Sequence, residues 1–93
     1  MTRVLLPTAA FERSVKRYAS KHPASLPLIR ETLARLEADA FEPRLRTHKL
    51  KGPLAEDWAS SAGYDLRIVF RLMPHEGSEA ILLLSVGTHD EVY

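Results

Sequence analysis

The chain has 93 residues, 45% of them apolar and 27% charged, with no cysteine and a formal net charge of +1. That describes one domain, able to bury roughly 60–65% of its unfolded surface in a single modest core. It excludes a disulfide frame and a cysteine-built metal site; no apolar run approaches the ~20 residues of a membrane span, no signal peptide is expected, and a reducing, cytoplasmic setting fits.

Arg3-Val4-Leu5-Leu6 reads as a short strand stopped by Pro7. Thr8 is a helix cap, since its hydroxyl accepts from a free backbone N–H one turn on. Phe11, Val15 and Tyr18 recur at helical spacing opposite Glu12, Arg13, Lys16 and Arg17, and Tyr18 is read as core. His22-Pro23 ends that helix, because the residue before proline is pushed out of the α region; His22 itself is read as solvated. Ser25 is the next expected cap, with Pro27 tolerated in the first turn. Leu26, Ile29, Leu33 and Leu36 form a second apolar stripe running to about Ala40. The short gap predicts an antiparallel helical hairpin, closed by Pro43.

The segment 45–53 has no clean period and reads as a loop with one extended piece, turning at Gly52-Pro53. Trp58 to Ala62 is a strand, followed by a turn at Gly63 or Tyr64. From 65 to 72 the residues alternate, with Leu66, Ile68, Phe70 and Leu72 on one side and Asp65, Arg67 and Arg71 on the other. A period of two marks a strand with one face in a core. Its polar face collects an acid and two arginines, and function is expected there. Pro74-His75-Glu76-Gly77-Ser78 is a hairpin turn, with His75 solvated. Ala80 to Val86 is almost continuously apolar, which predicts a central strand covered on both faces. Gly87 bends the chain, and Thr88 to Tyr93 is an extended tail. The order β-α-α-β-β-β predicts an α+β, two-layer domain spanning 1–93: a helical hairpin packed on one face of a twisted, mainly antiparallel sheet.

The near-neutral total hides a basic stripe. Arg44, Arg46, His48, Lys49 and Lys51 follow one another without an acid, and Arg13, Lys16, Arg17 and Lys21 gather on the first helix. Such a stripe is either a solvated surface or an RNA footprint. Trp58 is either core or a platform for a base. The histidines and acids show no pair at ligand spacing on one expected element, so no metal or other cofactor is expected.

The run His48-Lys49-Leu50-Lys51-Gly52, then Trp58, then Asp65-Leu66-Arg67-Ile68-Val69-Phe70, then Gly87-Thr88-His89-Asp90-Glu91-Val92-Tyr93, resembles the RelE/ParE toxin superfamily, and within it the YafQ-like branch of ribosome-dependent messenger-RNA endonucleases. The resemblance implies a RelE-like fold and a type II toxin, with an antitoxin, the ribosome and mRNA as partners. It implies a cleavage site of His48, Asp65, Arg67, His89 and Tyr93. Two positions depart from the pattern: small residues around Ser61 replace a further histidine, and Leu66 replaces an aromatic.

Metal-free RNA cleavage uses the substrate's 2′-hydroxyl as nucleophile and needs a base, a cation for the transition state and an acid for the leaving oxygen. Histidine suits acid or base work near neutral pH, and arginine grips two phosphate oxygens at once. The expected roles are His89 as acid, Asp65 or His48 as base, Arg67 as clamp and Tyr93 as a stacking or orienting group. Arg44, Arg46, Lys49, Lys51 and Arg71 are expected to contact RNA. The competing readings are a ParE-like inhibitor of DNA gyrase and a degenerate relative that only binds an antitoxin.

Overall fold

The computed structural model describes residues 2–63 and 65–93, so Tyr64 lies outside the described residues. Strand β1 (Val4–Pro7) leads into helix α1 (Ala9–Lys21). The Thr8 hydroxyl accepts from the Phe11 N–H at 3.0 Å and donates to the Leu83 carbonyl at 2.8 Å. One side chain therefore caps α1 and ties its start to a distant strand. His22 ends α1, its backbone N–H donating to the Tyr18 carbonyl. Its ring packs on Tyr18, 4.4 Å between centroids, so His22 is exposed but not simply solvated.

Helix α2 (Ser25–Ala38) corrects one expectation. Ala24 precedes it with helical angles and makes no side-chain cap. Ser25 is already inside the helix and buried, and its hydroxyl donates back to the His22 carbonyl at 2.6 Å. The tight His22-Pro23 turn starts helical geometry early, so the serine satisfies the end of α1 rather than the start of α2.

Strands β2 (His48–Lys49), β3 (Trp58–Ser61), β4 (Leu66–His75) and β5 (Ser78–Thr88) complete a five-stranded sheet in the order β1-β5-β4-β3-β2. β1 runs parallel to β5 and every other pairing is antiparallel. Phe11, Ile29 and Leu36 from the helices pack on Leu66, Ile68, Phe70, Ile81, Leu83 and Val86. This is the expected two-layer arrangement, and Trp58 and Tyr18 join its margin.

The opposite face of the sheet carries a smaller cluster of Leu50, Ala59 and Val69, joined by Leu84 and Val92. A register shift explains how β5 serves both faces: Val69 pairs with Ser85 and Phe70 with Leu83, which leaves Leu84 as the extra residue of a bulge. The bulge lets Leu83 and Val86 both face the helices although three positions separate them.

The hairpin between β4 and β5 is tighter than the sequence suggests. β4 continues through Pro74 to His75, and the turn is Glu76-Gly77 alone, with φ of +48° and +77°. Two positive φ values are what a two-residue type I′ turn requires. The expected extended tail is also corrected. His89–Val92 forms one helical turn, α3, with Thr88 as its cap. Among the described residues, no helix is long and apolar enough to cross a membrane.

Leu36 is fully buried in the helix-side core. Leu36→Ala is expected to cost about 2–5 kcal/mol of unfolding free energy, read as a lower urea midpoint at unchanged slope.

Candidate functional site

The register of β4 on β5 decides where the charged residues meet. Leu66 pairs with Thr88 and Arg67 with Gly87, so the start of β4 and the start of α3 lie side by side. Asp65, just before β4, takes the His89 N–H twice, on its carbonyl at 2.9 Å and on its carboxylate Oδ1 at 3.2 Å. α3 is closed by a capping box. The Glu91 N–H donates to the Thr88 hydroxyl at 3.3 Å, and the Glu91 carboxylate accepts from the Thr88 N–H at 2.8 Å. The Thr88-x-x-Glu91 spacing is the sequence signature of this device, and it is the signal that marks the tail as helical.

α3 aims Tyr93 between two histidines. Its ring lies 4.5 Å from His89 and 5.4 Å from His48, between centroids, and its hydroxyl hydrogen-bonds to His48 Nε2. The other nitrogen of His48, Nδ1, lies 2.9 Å from the Arg46 carbonyl. A carbonyl only accepts, so Nδ1 carries the hydrogen. In the neutral ring, Nε2 is then the lone pair that receives the Tyr93 O–H.

The segment holding His48 is fixed from both sides. Thr47 donates to the Ala40 carbonyl at 2.6 Å and bonds the buried Ser60 hydroxyl, also at 2.6 Å. Arg46 sits in left-handed backbone geometry at φ +50°, a conformation that costs a non-glycine residue energy and directs its carbonyl toward the imidazole.

Arg67 is half-buried, and its Nη1 donates to the Leu66 carbonyl at 3.1 Å and the Gly63 carbonyl at 3.4 Å. With Arg44, Arg46, Ser61 and Gly63 it lines a cleft of about 410 Å³. Three guanidinium groups in one cleft make an anion-attracting surface. Arg44 is itself 3.5 Å from Glu42. Lys49 and Lys51 instead border a second cleft, which His48 and Tyr93 also line.

Thus His48, Asp65, His89 and Tyr93 are brought together, with Arg67, Arg44 and Arg46 beside them. Arg71 is not part of this group. Its Nε donates to the buried Asp57 carboxylate at 2.8 Å, Glu56 lies 3.7 Å away, and it lines neither cleft. The hydrogen bond and charge of Asp57 push its pKa further up. Arg71 belongs to an ion pair that holds the 54–57 turn against β4. Trp58 is likewise structural: half-buried, edge-on to Phe41 at 5.1 Å and 5.6 Å from Lys49 Nζ. Among the described residues, no group of three or more His, Cys, Asp or Glu is placed to hold a metal ion.

No protein-family model matches the sequence, and no curated protein matches it. Solved structures do. YafQ from E. coli superposes with a TM-score of 0.78 at 14% identity, covering 98% of each chain. A YoeB/ParE toxin from Agrobacterium tumefaciens gives 0.74 at 15% identity, covering 92% of this chain and 98% of that one. The RelBE2 toxin–antitoxin complex of Mycobacterium tuberculosis gives 0.69 at 14% identity, covering 95% and 99%. The chain has the fold of the RelE/ParE toxins, with YafQ among its structural neighbours.

Two outcomes test the site's construction. The Glu91 carboxyl is held below its ordinary pKa, first by the Thr88 backbone N–H, then by the Thr88 hydroxyl contact and the nearby Arg17 and Lys21. A depressed carboxyl stabilises the fold above the ordinary carboxylate range and loses that contribution as pH falls through its folded value. Amide spectra taken downward from pH 6 are expected to show α3 fraying while β4–β5 amides stay native, and Glu91→Gln is expected to remove this pH dependence. Arg46→Gly, which tolerates positive φ, is expected to keep the His48 Nδ1–H tautomer; Arg46→Val is expected to disturb it, as ¹⁵N imidazole shifts will report.

Proposed function

We propose that this chain is the toxin of a type II toxin–antitoxin system, a ribosome-dependent endoribonuclease that cleaves mRNA without a metal. The observation that carries the reading is the convergence of His48, Asp65, His89 and Tyr93 beside a cleft of arginines. Residues 45 positions apart in the chain meet through the Tyr93 hydroxyl and His48 Nε2, and the structural neighbours include toxins solved with their antitoxins, such as the E. coli DinJ-YafQ complex.

The geometry also supports a division of labour. His48 is the general base: its Nδ1–H is fixed on the Arg46 carbonyl, so Nε2 is the basic atom. Tyr93 covers that lone pair until substrate arrives and the 2′-hydroxyl takes the place of the phenol. Asp65 acts as a positioning residue, because its carboxylate is engaged by the His89 N–H. His89, exposed on the first turn of α3, is the general acid that protonates the departing 5′-oxygen. Arg67 supplies positive charge where the phosphorane-like transition state gains it. Arg44 and Arg46 extend that field along the RNA backbone, and the antitoxin silences the toxin in the cytoplasm.

Single-turnover cleavage on programmed ribosomes tests these roles. His48→Ala and His89→Ala are each expected to slow cleavage by about 10²–10⁴-fold, and Arg67→Ala by about 10²–10³-fold. Wild-type rates in His89→Ala and Arg67→Ala together would remove the reading. Induced expression separates the alternatives: translation arrest with cut mRNA supports the nuclease, filamentation with DNA damage points to gyrase, and no phenotype points to a partner-binding relative.

A further inference from the structure

The nuclease reading leaves the basic stripe of α1, Arg13, Lys16, Arg17 and Lys21, without a role. The fold divides that stripe. Arg17 and Lys21 line a cleft of about 240 Å³ where α1 meets the junction of β5 and α3, with Thr88 and Glu91 supplying its other side; Arg13 and Lys16 do not line it. His22 lines it too, its ring packed on Tyr18. The buried Ser14 fixes α1 at this place: its hydroxyl accepts the Val86 N–H at 2.9 Å and donates to the Phe11 carbonyl at 2.8 Å. α3 in turn sits close on the β5 backbone, where a Cβ placed on Gly87 would lie 3.3 Å from Glu91 Oε1. The end of β5 therefore carries both helices side by side.

A helix of four residues has no stability of its own in water, so the placing of His89 and Tyr93 rests on what holds α3 from outside. Its capping box sets the Glu91 carboxylate on the Thr88 N–H, a bond that is stronger when the acceptor is charged. After the Thr88 N–H and hydroxyl, Arg17 and Lys21 are the groups that favour the charged form of Glu91. We propose that Arg17 and Lys21 are positioning residues: they hold the Glu91 carboxylate in its box, and α3 thereby keeps His89 and Tyr93 in place, a role in cleavage that rests on the nuclease reading and deepens it. An RNA contact fits these two cations less well. Glu91 stands in the same cleft and repels a phosphate, whereas no acid lines the arginine cleft.

Amide spectra of the full chain and single-turnover cleavage on programmed ribosomes test this together. Arg17→Gln with Lys21→Gln is expected to move the Thr88 and Glu91 amides toward their positions at low pH, with β4–β5 amides native. The cleavage rate at saturating ribosomes is expected to fall about two- to fivefold, with half-saturation unchanged. Arg17→Lys with Lys21→Arg, which keeps both charges, is expected to restore the amides and the rate, and Arg13→Gln with Lys16→Gln is expected to alter neither. Glutamine at 91 keeps the box without the charge, so in a Glu91→Gln background neutralising Arg17 and Lys21 is expected to have no further effect. An equal effect with and without the Glu91 charge would show that the two cations do not act through it, and the proposal fails. It fails also if half-saturation rises while the α3 amides stay in place, because the cations then contact RNA. If the α3 amides respond as expected but the wild-type chain leaves mRNA uncut, the hold on α3 is upheld and the nuclease reading alone is lost.

Discussion

The structure depends on the register between β4 and β5. Side chains alternate strictly along a strand, so a slip of one residue would turn Arg67 toward the helices and Ile68 toward water. The bulge at Leu84 makes the register compatible with both ends of the hairpin. At the turn end, His75 faces Ser78 across a two-residue loop; at the far end, Leu66 faces Thr88. Without the extra residue, the same hairpin would place Gly87 opposite Leu66 and carry α3 one position away from Asp65. The double acceptance of the His89 N–H by Asp65 therefore depends on an irregularity some four residues away along the strand. Bulges recur beside functional sites for this reason: they re-aim the residues beyond them.

From that register the candidate site assembles through short-range devices. The Thr88–Glu91 box starts α3, one helical turn brings Tyr93 above His89, and the Tyr93 hydroxyl reaches His48 on the sheet's far edge. The edge strand β2 has only two residues, too few to position a side chain by pairing alone. Thr47 and the left-handed Arg46 supply the missing rigidity, one by hydrogen bonds to Ala40 and Ser60, the other by turning its carbonyl onto the imidazole. Strain at Arg46 is tolerated because the neighbouring bonds over-determine the segment. His48 lines the lysine-bearing cleft, and the Arg46 that holds its imidazole lines the arginine cleft, so one short segment borders both.

Much of the fold could be read from local patterns. The alternation from Leu66 to Leu72 placed Arg67 on the polar face, Thr8 announced α1, and a Gly-containing cluster announced the hairpin. Where reading failed, the deciding partner was distant or the pattern was uninformative. Ser25 looked like a cap, but the tight turn at Pro23 had already started the helix. The apolar run from Ala80 to Val86 has no period, so it cannot reveal which residue bulges. Arg71 was expected to contact RNA because it shares the polar face of the strand with Arg67, four residues earlier. The structure adds a bond to Asp57, fourteen residues away and buried, and no local rule connects the two. The Thr88-x-x-Glu91 spacing of a capping box is present in the sequence, whereas the expectation for Thr88 to Tyr93 was a tail. For the site, convergence of His48 with Tyr93 was implied only by resemblance, because positions 48 and 93 belong to opposite ends of the sheet in sequence terms.

The exposure of the site has a consequence for its chemistry. The His89 side chain is 54% exposed, and Tyr93 is 51% exposed. Charge-stabilising groups act strongly when water is excluded and weakly when it is not, since the same pair of charges interacts several-fold more strongly in a protein-like medium than in bulk water. Among the described residues, His48 and His89 are exposed and Arg67 is half-buried, with no element folded over them. Under the proposed reading, the covering surface must come from the macromolecule that presents the RNA. The same open face is accessible to any protein that binds there, so a partner seated over Tyr93 and the arginine cleft would block substrate without distorting the fold. On that reading, dependence on a ribosome and control by an antitoxin would share one physical origin: a site on the rim of a small sheet, open to whatever surface binds over it.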